Sequence, residues 1–173
     1  LVTGLRTFGD HYGSELALGP DGHLYFGVGV ATNSGVVGWD NYVFGWLPQV
    51  PDGHDVPARD LRLVGENYWD LNWLAPDPRR EQAWTGAFKP FGTPARPGEL
   101  IRGRRMASGV LYRVRPDGSG LEIFADGLRN IFGLRFSPDG QLLALNQGFD
   151  SRGNRPIDGD WDSLWEVHRG GWY

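Results

Sequence analysis

The stretch Ala125-Asp-Gly-Leu-Arg-Asn-Ile-Phe-Gly-Leu-Arg-Phe-Ser-Pro-Asp-Gly140, followed by Gln141-Leu-Leu-Ala-Leu-Asn-Gln-Gly148, indicates the fold class. Apolar residues on both sides of Ser-Pro-Asp-Gly predict two short strands joined by a tight turn. Proline presets φ at the start of that turn, and glycine accepts the left-handed corner at its end. The stretch is therefore predicted to form an antiparallel hairpin that enters and leaves through glycine-flanked segments.

The same strand–turn–strand unit recurs along the chain. Pro-Asp-Gly stands at Pro20–Gly22, Pro116–Gly118 and Pro138–Gly140, each time between short apolar segments. Recurrence with few helix signals between the copies predicts an antiparallel all-β array. A β-propeller fits best, because its blades are four-stranded sheets with short edges. A β-sandwich is the alternative fold.

The repeats divide the chain into units of one partial propeller domain over residues 1–173. We expect blade units near residues 10–30, 108–126 and 127–173. This fold class is all-β, a fragment of about three blades from a six-bladed β-propeller. The chain starts without a methionine and stops without a sequence feature typical of a C-terminus, so we expect it to be a piece of a longer protein.

A long insertion over about residues 31–107 separates the first two units and is rich in tryptophan and proline. Within it only Asp60–Val64 is strand-like. Because long structureless loops are uncommon in compact domains, its aromatic residues are expected to pack against one face of the propeller. Two interpretations stay open, a structural flap and a wall or lid over a ligand site.

Composition excludes several classes of protein. The net charge of −4 and the absence of a basic stretch argue against a nucleic-acid partner. No apolar run approaches the roughly 18 residues that a membrane span needs. The absence of cysteine excludes disulfides, thiolate zinc sites and a Cys-X-X-Cys-His haem attachment.

Candidate functional residues lie at strand entries. Arg129 and Asn130 would donate hydrogen bonds to an oxygen-rich ligand, although Arg129 could simply pair with a surface carboxylate. His11, after Asp10, could be a general base because its ordinary pKa lies near neutrality. The alternative is an ordinary half-exposed histidine.

Other polar residues receive no role. The remaining histidines, His23, His54 and His168, show no spacing that suggests a metal site. Three arginines among residues 102–105 are interpreted as a solvated loop.

Four segments carry a resemblance to a known family. They are Asp10-His11 with the following Pro-Asp-Gly and strand, Gly127-Leu-Arg-Asn-Ile-Phe-Gly133, Asn146-Gln-Gly-Phe149, and Asp162 with Gly170-Gly-Trp-Tyr173. Together they resemble the soluble quinoprotein glucose dehydrogenase and sorbosone dehydrogenase family. Members are six-bladed propellers that use pyrroloquinoline quinone (PQQ) and calcium.

The resemblance implies roles for three residues in an oxidation. His11 would take the proton of the sugar hydroxyl while hydride passes to the quinone, and Arg129 and Asn130 would hold the quinone. The substrate would be an aldose or a related sugar, and an external electron acceptor would reoxidise the cofactor. The family also implies a periplasmic or secreted location.

The resemblance further implies a calcium site. The carbonyls of Gly148 and Phe149 would coordinate the ion, and Asp162 would supply the acidic residue of the same loop. Calcium is a hard ion that accepts backbone carbonyl oxygens.

Several positions depart from the family pattern. Val30 stands where the family has an aspartate that orients the histidine, so the imidazole is expected to lack a fixed tautomer. Asn146 replaces a glutamate, Phe149 and Ile131 replace prolines, and Ser163 replaces an acidic residue. These departures favour an alternative function, a binding propeller that lost the redox site. A calcium-dependent lactonase is a third possibility, for which the metal-binding carboxylates are not found.

Overall fold

The computed structural model describes residues 2–6 and 8–173. The described strands are β1 Gly13–Leu18, β2 Leu24–Val28, β3 Leu61–Arg62, β4 Asn67–Leu71, β5 Gln82–Gly86, β6 Leu100–Ile101, β7 Val110–Val114, β8 Glu122–Asp126, β9 Asn130–Phe136, β10 Leu142–Gln147 and β11 Ser163–Glu166. The helices among these residues are short, α1 at Trp39–Val43 and a 3₁₀ turn at Pro78–Arg80.

The prediction of an all-β chain is confirmed. The strands form a four-stranded sheet in the order β1-β2-β7-β8, a three-stranded sheet in the order β11-β10-β9, and the two-stranded pairs β3-β6 and β4-β5. Every pairing between named strands is antiparallel. These sheets are open, and the described residues do not close into a propeller.

The three Pro-Asp-Gly turns each close a hairpin, as predicted. Gly22, Gly118 and Gly140 donate their N–H to the residue three positions earlier, and all three have φ between 74° and 86°. A side chain at these positions would be strained, because only glycine enters the left-handed region without steric cost.

The units near residues 10–30 and 108–126 are two halves of one sheet. Strand β2 pairs with β7 in an unbroken register from Leu24↔Val114 to Val28↔Val110. The described strands therefore make one four-stranded and one three-stranded main sheet where the sequence indicates three units. An exposed strand edge accepts another strand readily, and sequence repeats do not reveal which hairpins share an edge.

The insertion has more structure than its sequence predicts. Strand β3 forms within Asp60–Val64 as predicted, but it pairs with β6, which the sequence analysis missed. The hairpin β4-β5 was also missed, and it places Trp69 opposite Trp84, both exposed. Their apolar residues do not alternate in the pattern that identifies a strand with one buried face.

Apolar packing joins the two main sheets. Tyr25 of β2 contacts Phe124 of β8 and Phe136 of β9 edge-on, with ring centroids 5.1 and 5.0 Å apart. Leu134 and Ala144 complete this cluster from the three-stranded sheet. The insertion has its own core, in which Trp46 packs with buried neighbours that include Val37, Leu47 and Phe91.

Within the described ranges, no helix has the length and apolar character that crossing a bilayer requires.

Candidate functional site

His11 is buried and its ring has a defined orientation. Its Nδ1 lies 2.9 Å from the carbonyl oxygen of Val30. A carbonyl only accepts, so Nδ1 carries the proton and Nε2 of the neutral ring keeps its lone pair. The expectation that Val30 leaves the imidazole without a fixed tautomer is therefore wrong, because the backbone supplies the acceptor that the side chain lacks.

The electrostatics at His11 favour the neutral ring. Burial lowers the pKa of His11, and the nearby Arg129 guanidinium lowers it further. Both effects penalise the imidazolium, since burial disfavours charge and like charges repel. His11 is thus neutral over a wider acidic range than an exposed histidine.

Three of the predicted site residues converge at Gly29. A Cβ on Gly29 would lie 2.5 Å from the Cβ of His11 and 3.3 Å from the Oδ1 of Asn130. The N–H of Val30 donates to the carbonyl of Arg129 at 2.9 Å. Strand β2 therefore ends where β9 begins, and this position has no room for a side chain.

Arg129 is buried, and one of its donors has no partner. Its side chain is 1% exposed; Nη2 donates to the carboxylate of Asp150 and to the Oδ1 of Asn33, each at 2.7 Å. Nε donates to the Asn33 carbonyl at 3.0 Å. Nη1 is also buried and has no hydrogen-bond partner among residues 2–6 and 8–173. A buried unpaired donor costs about 1–3 kcal/mol, so a ligand acceptor at this atom would be stabilising.

Burial lowers the pKa of Arg129, while Asp150 opposes that shift. The interpretation that Arg129 pairs with a surface carboxylate is confirmed in its partner, since the side chain of Asp150 is 41% exposed, but Arg129 itself is buried. The guanidinium lies inside the protein, and Asn33 of the insertion supplies two of its acceptors.

Asn130 and Asn146 organise the strand entry. Asn130 Nδ2 donates to the Oε1 of Gln147 at 2.9 Å. The Oδ1 of Asn146 accepts the N–H groups of Arg129 and Asn130 at 2.9 and 3.1 Å. An asparagine at position 146 thus holds the strand entry through neutral hydrogen bonds.

Arg129 is among the residues that line a cleft of about 340 Å³. Its walls carry four aromatic side chains and three guanidinium groups, from Phe88, Phe149, Trp172, Tyr173, Arg59, Arg129 and Arg155. The guanidinium carbon of Arg129 lies 5.8 Å from the centroid of the Phe149 ring. This combination suits a flat aromatic ligand with anionic groups.

The insertion forms much of the cleft wall. It contributes Ser34, Gly35, Asp55, Pro57, Arg59, Leu61, Ala87 and Phe88. Of the two interpretations of the insertion, this geometry is that of a wall beside a ligand site. The residues that line the cleft include neither His11 nor Asn130.

The predicted calcium ligands do not form a calcium cage. The carboxylates of the loop are engaged by its own backbone, since Gly148 N donates to Asp162 Oδ1 at 3.0 Å and Phe149 N to Asp160 Oδ2 at 2.7 Å. No group of three or more acidic or histidine side chains suited to a metal occurs in the described part of the chain. Calcium takes about six to eight oxygen ligands, and two loop carbonyls fall well short of that number. The donor set does not fit the ion, and no step below depends on it.

A guanidinium is the cation that organises this region. Arg152 Nη1 lies 2.8 Å from Asp10 Oδ2 and 2.5 Å from Asp40 Oδ2, and its Nε lies 3.1 Å from Asp150 Oδ2. These contacts tie the histidine loop, helix α1 and the loop after β10 together. Arg152, Asp40 and Asp150 were not identified from the sequence. The contacts of Arg152 with Asp10 and Asp40 join residues more than a hundred positions apart and leave no local pattern.

No family model matches the sequence, and no curated protein matches it. Among solved structures, the PQQ-bound form of an aldose sugar dehydrogenase from Streptomyces coelicolor is similar to this chain with 16% sequence identity and a TM-score of 0.33. The match covers 96% of this chain and 63% of that protein, so the chain spans less than two thirds of its length. A likeness this slight carries no argument about function.

Proposed function

We propose that this chain is part of a PQQ-dependent propeller dehydrogenase that oxidises an aldose or a related sugar. One observation supports the proposal above the others, the buried Nη1 of Arg129, which lacks a partner among the described residues and belongs to a residue that lines an aromatic cleft. The motifs around Arg129 resemble the quinoprotein family independently of this geometry.

The cleft has the chemistry that PQQ needs. The cofactor is a flat aromatic quinone with carboxylates, and a guanidinium N–H forms a strong charge-assisted hydrogen bond with a carboxylate. Arg129 would hold one carboxylate through Nη1, and Arg155 and Arg59 add positive charge to the same walls. Phe149 and Trp172 offer apolar surface for the rings. When bound, the quinone supplies the two-electron acceptor.

His11 would act as the general base. Its Nε2 is free of a proton because Nδ1 donates to Val30, and burial keeps the ring neutral. The hydroxyl proton of the sugar would move to Nε2 during oxidation. Asn130 would fix the geometry of the site beside Gly29. It has this positioning role because its amide donor is already engaged by Gln147.

The remaining features belong to the same proposal. The four-stranded sheet would be one blade of a six-bladed propeller, and the three-stranded sheet part of the next. An external electron acceptor would complete the cycle, and the protein would work in the periplasm or outside the cell.

Titration with PQQ tests this function, with tryptophan fluorescence as the readout. Arg129→Gln should weaken binding by about 10- to 150-fold, which corresponds to the loss of one charged hydrogen bond. Arg135→Gln is the matched control, because Arg135 lies on strand β9, which begins directly after Arg129, and its side chain is 70% exposed. Absence of saturable quenching in the wild-type protein, or equal affinity of the two variants, would exclude Arg129 as the anchor.

A second candidate is a propeller that binds such a ligand without oxidising a sugar. The absence of His11 from the residues lining the cleft favours this candidate. Sugar-dependent dye reduction in the presence of PQQ separates the two. His11→Asn should lower turnover by about 100- to 10,000-fold in a dehydrogenase and leave PQQ binding unchanged in both cases.

A further inference from the structure

A second cavity shares Asp55 and Pro57 with the walls of the 340 Å³ cleft. Its volume is about 520 Å³. We call it the arginine cavity after the basic side chains that line it, Arg6, His54, Arg102, Arg104 and Arg105. The protein carries a net charge of −4, so four arginines around one cavity are a marked local excess of positive charge. The interpretation of residues 102–105 as a solvated loop omits this arrangement.

Little negative charge neutralises these arginines. Arg102 pairs with the exposed Asp60 at 2.5 Å. In the described residues no acidic side chain forms an ion pair with Arg6, Arg104 or Arg105. Arg105 Nη2 donates instead to the carbonyl of Leu121 at 2.7 Å, and this contact leaves the full positive charge in place.

The one acidic residue in the wall is already engaged. The carboxylate of Asp55 accepts the N–H of Ala31 and the hydroxyl of Thr32, each at 2.6 Å. Burial also raises the pKa of Asp55, which reduces its tendency to carry charge. The carboxylate of Asp55 is thus engaged by Ala31 and Thr32, and no ion pair joins it to an arginine of the cavity among the described residues.

Arg6 has an unused donor. Its Nη2 donates to the carbonyl of His54 at 2.8 Å, but its buried Nε has no partner in the structurally described segments. Burial lowers the pKa of Arg6; the charge of Asp55 opposes this shift but is not a counter-ion at contact distance. An anion in the cavity would supply both an acceptor and that counter-charge.

We propose that the arginine cavity binds a phosphate group. A phosphate dianion has several strong acceptor oxygens and suits convergent guanidinium donors better than a monovalent anion does. The cavity is too small for a nucleic-acid strand, and the rest of the protein is acidic. The source of the group is either free phosphate or a phosphorylated sugar, and the chemistry that recognises the two is shared. This site does not depend on the proposed dehydrogenase function.

Thermal unfolding of the full chain in rising inorganic phosphate at pH 7.5 tests the site, with sodium chloride at matched ionic strength as reference. A ligand that binds only the folded state raises Tm in a concentration-dependent manner. The wild-type protein and Arg135→Gln should show the same rise beyond the chloride reference. Arg104→Gln changes an exposed side chain and should fold normally, and its phosphate affinity should fall by at least about tenfold.

Arg6→Gln should also lose phosphate affinity. If the Arg6 variant fails to fold, calorimetric titration of Arg104→Gln with phosphate tests the site in its place. A glucose phosphate ester that binds more tightly than inorganic phosphate identifies a phosphorylated sugar, and equal affinities identify free phosphate. Either outcome supports the site. A response equal to that in chloride, or equal phosphate affinities of the wild-type protein and Arg104→Gln, would overturn it.

Discussion

Phe88 lines the 340 Å³ cleft and has an unusual backbone conformation. Its φ of 58° is the only positive value for a non-glycine residue in the described ranges. A bulky residue in this region costs about 1–2 kcal/mol. The N–H of Phe88 donates to the carbonyl of Gly35 at 2.8 Å, and this bond joins two parts of the insertion. Strain of this kind concentrates at ligand sites, and here it places an aromatic ring in the cleft wall.

Two substitutions at Phe88 separate the effect of backbone strain from the effect of the contacts of its ring. Both Phe88→Gly and Phe88→Ala remove the ring, but only glycine adopts the left-handed conformation without cost. We expect the glycine variant to be about 1 kcal/mol more stable than the alanine variant, the reverse of the usual order. Urea unfolding measures this difference. PQQ affinity should fall equally in both variants, and a more stable alanine variant would contradict the assigned strain.

His11 predicts a pH dependence whose sign follows from its lowered pKa. Below the ordinary histidine pKa of about 6.5, His11 binds a proton in the unfolded chain, whereas the ring of the folded protein stays neutral. Stability should therefore increase with pH from the lowered pKa of folded His11 up to about 6.5 and stay level above that. The difference in unfolding free energy between the wild-type protein and His11→Asn isolates this contribution. A difference that is constant from pH 4.5 to 8 would show that the pKa is not lowered.

At the scale of elements, the loop after β10 is held by the chain itself. Asn33 Nδ2 donates to the carbonyls of Asp150 and Arg152 at 2.7 and 3.0 Å, and Ser34 donates to the carbonyl of Arg155 at 2.6 Å. Arg152 adds ion pairs to the buried Asp10 and Asp40. The insertion and the loop are thus joined into one structural unit, in which the side chain of Arg152 links the two.

Removal of the Arg152 side chain should change the stability of the protein measurably. Arg152→Ala should destabilise the protein by about 3 kcal/mol, because it leaves the buried carboxylates of Asp10 and Asp40 without an ion-pair partner. Calcium should then raise the Tm of the variant, since three carboxylates would face the vacated space, and should leave the wild-type Tm unchanged. Arg152→Lys should recover part of the lost stability. Arg102→Ala, which breaks an exposed pair, should cost less than about 1 kcal/mol.

A wild-type Tm that rises with calcium and falls with a chelator would restore the calcium prediction. An Arg152→Ala variant with unchanged stability would show that the ion pairs are not stabilising.

At the scale of the whole molecule, stability should be unevenly distributed. The four-stranded sheet shares a packed core with β9 and β10, whereas the pairs β3-β6 and β4-β5 have two strands each. Isolated two-stranded pairs are marginal in water, and such regions open at a lower free energy. Hydrogen exchange should therefore be slowest in β2 and β7 and faster in β4 and β5. Equal protection of all strands would contradict this ranking.

The sequence predicts local features better than distant contacts. The turns at Gly22, Gly118 and Gly140 were predicted because a turn depends on four adjacent residues. The junction of β2 with β7 was missed, since pairing depends on which edges meet in space. Arg129 was identified from its motif, but its burial comes from Asn33, which lies 96 positions away.

The candidate site shows the same difference between local features, which the sequence predicts, and contacts in space, which it does not. A backbone acceptor at Val30 compensates for the missing carboxylate, and backbone groups are the same for every residue type. No substitution pattern could have predicted this contact.

The pairing of Val28 with Val110 also bears on the order of events during folding. The hairpins β1-β2 and β7-β8 are local and would form in about 1–10 μs. Joining them closes a loop of about 80 residues, which costs about 4 kcal/mol in chain entropy if that loop is still unfolded. A collapsed insertion brings its two ends together beforehand and removes much of this barrier. The segment that forms the cleft wall would then also set the rate at which the main sheet assembles.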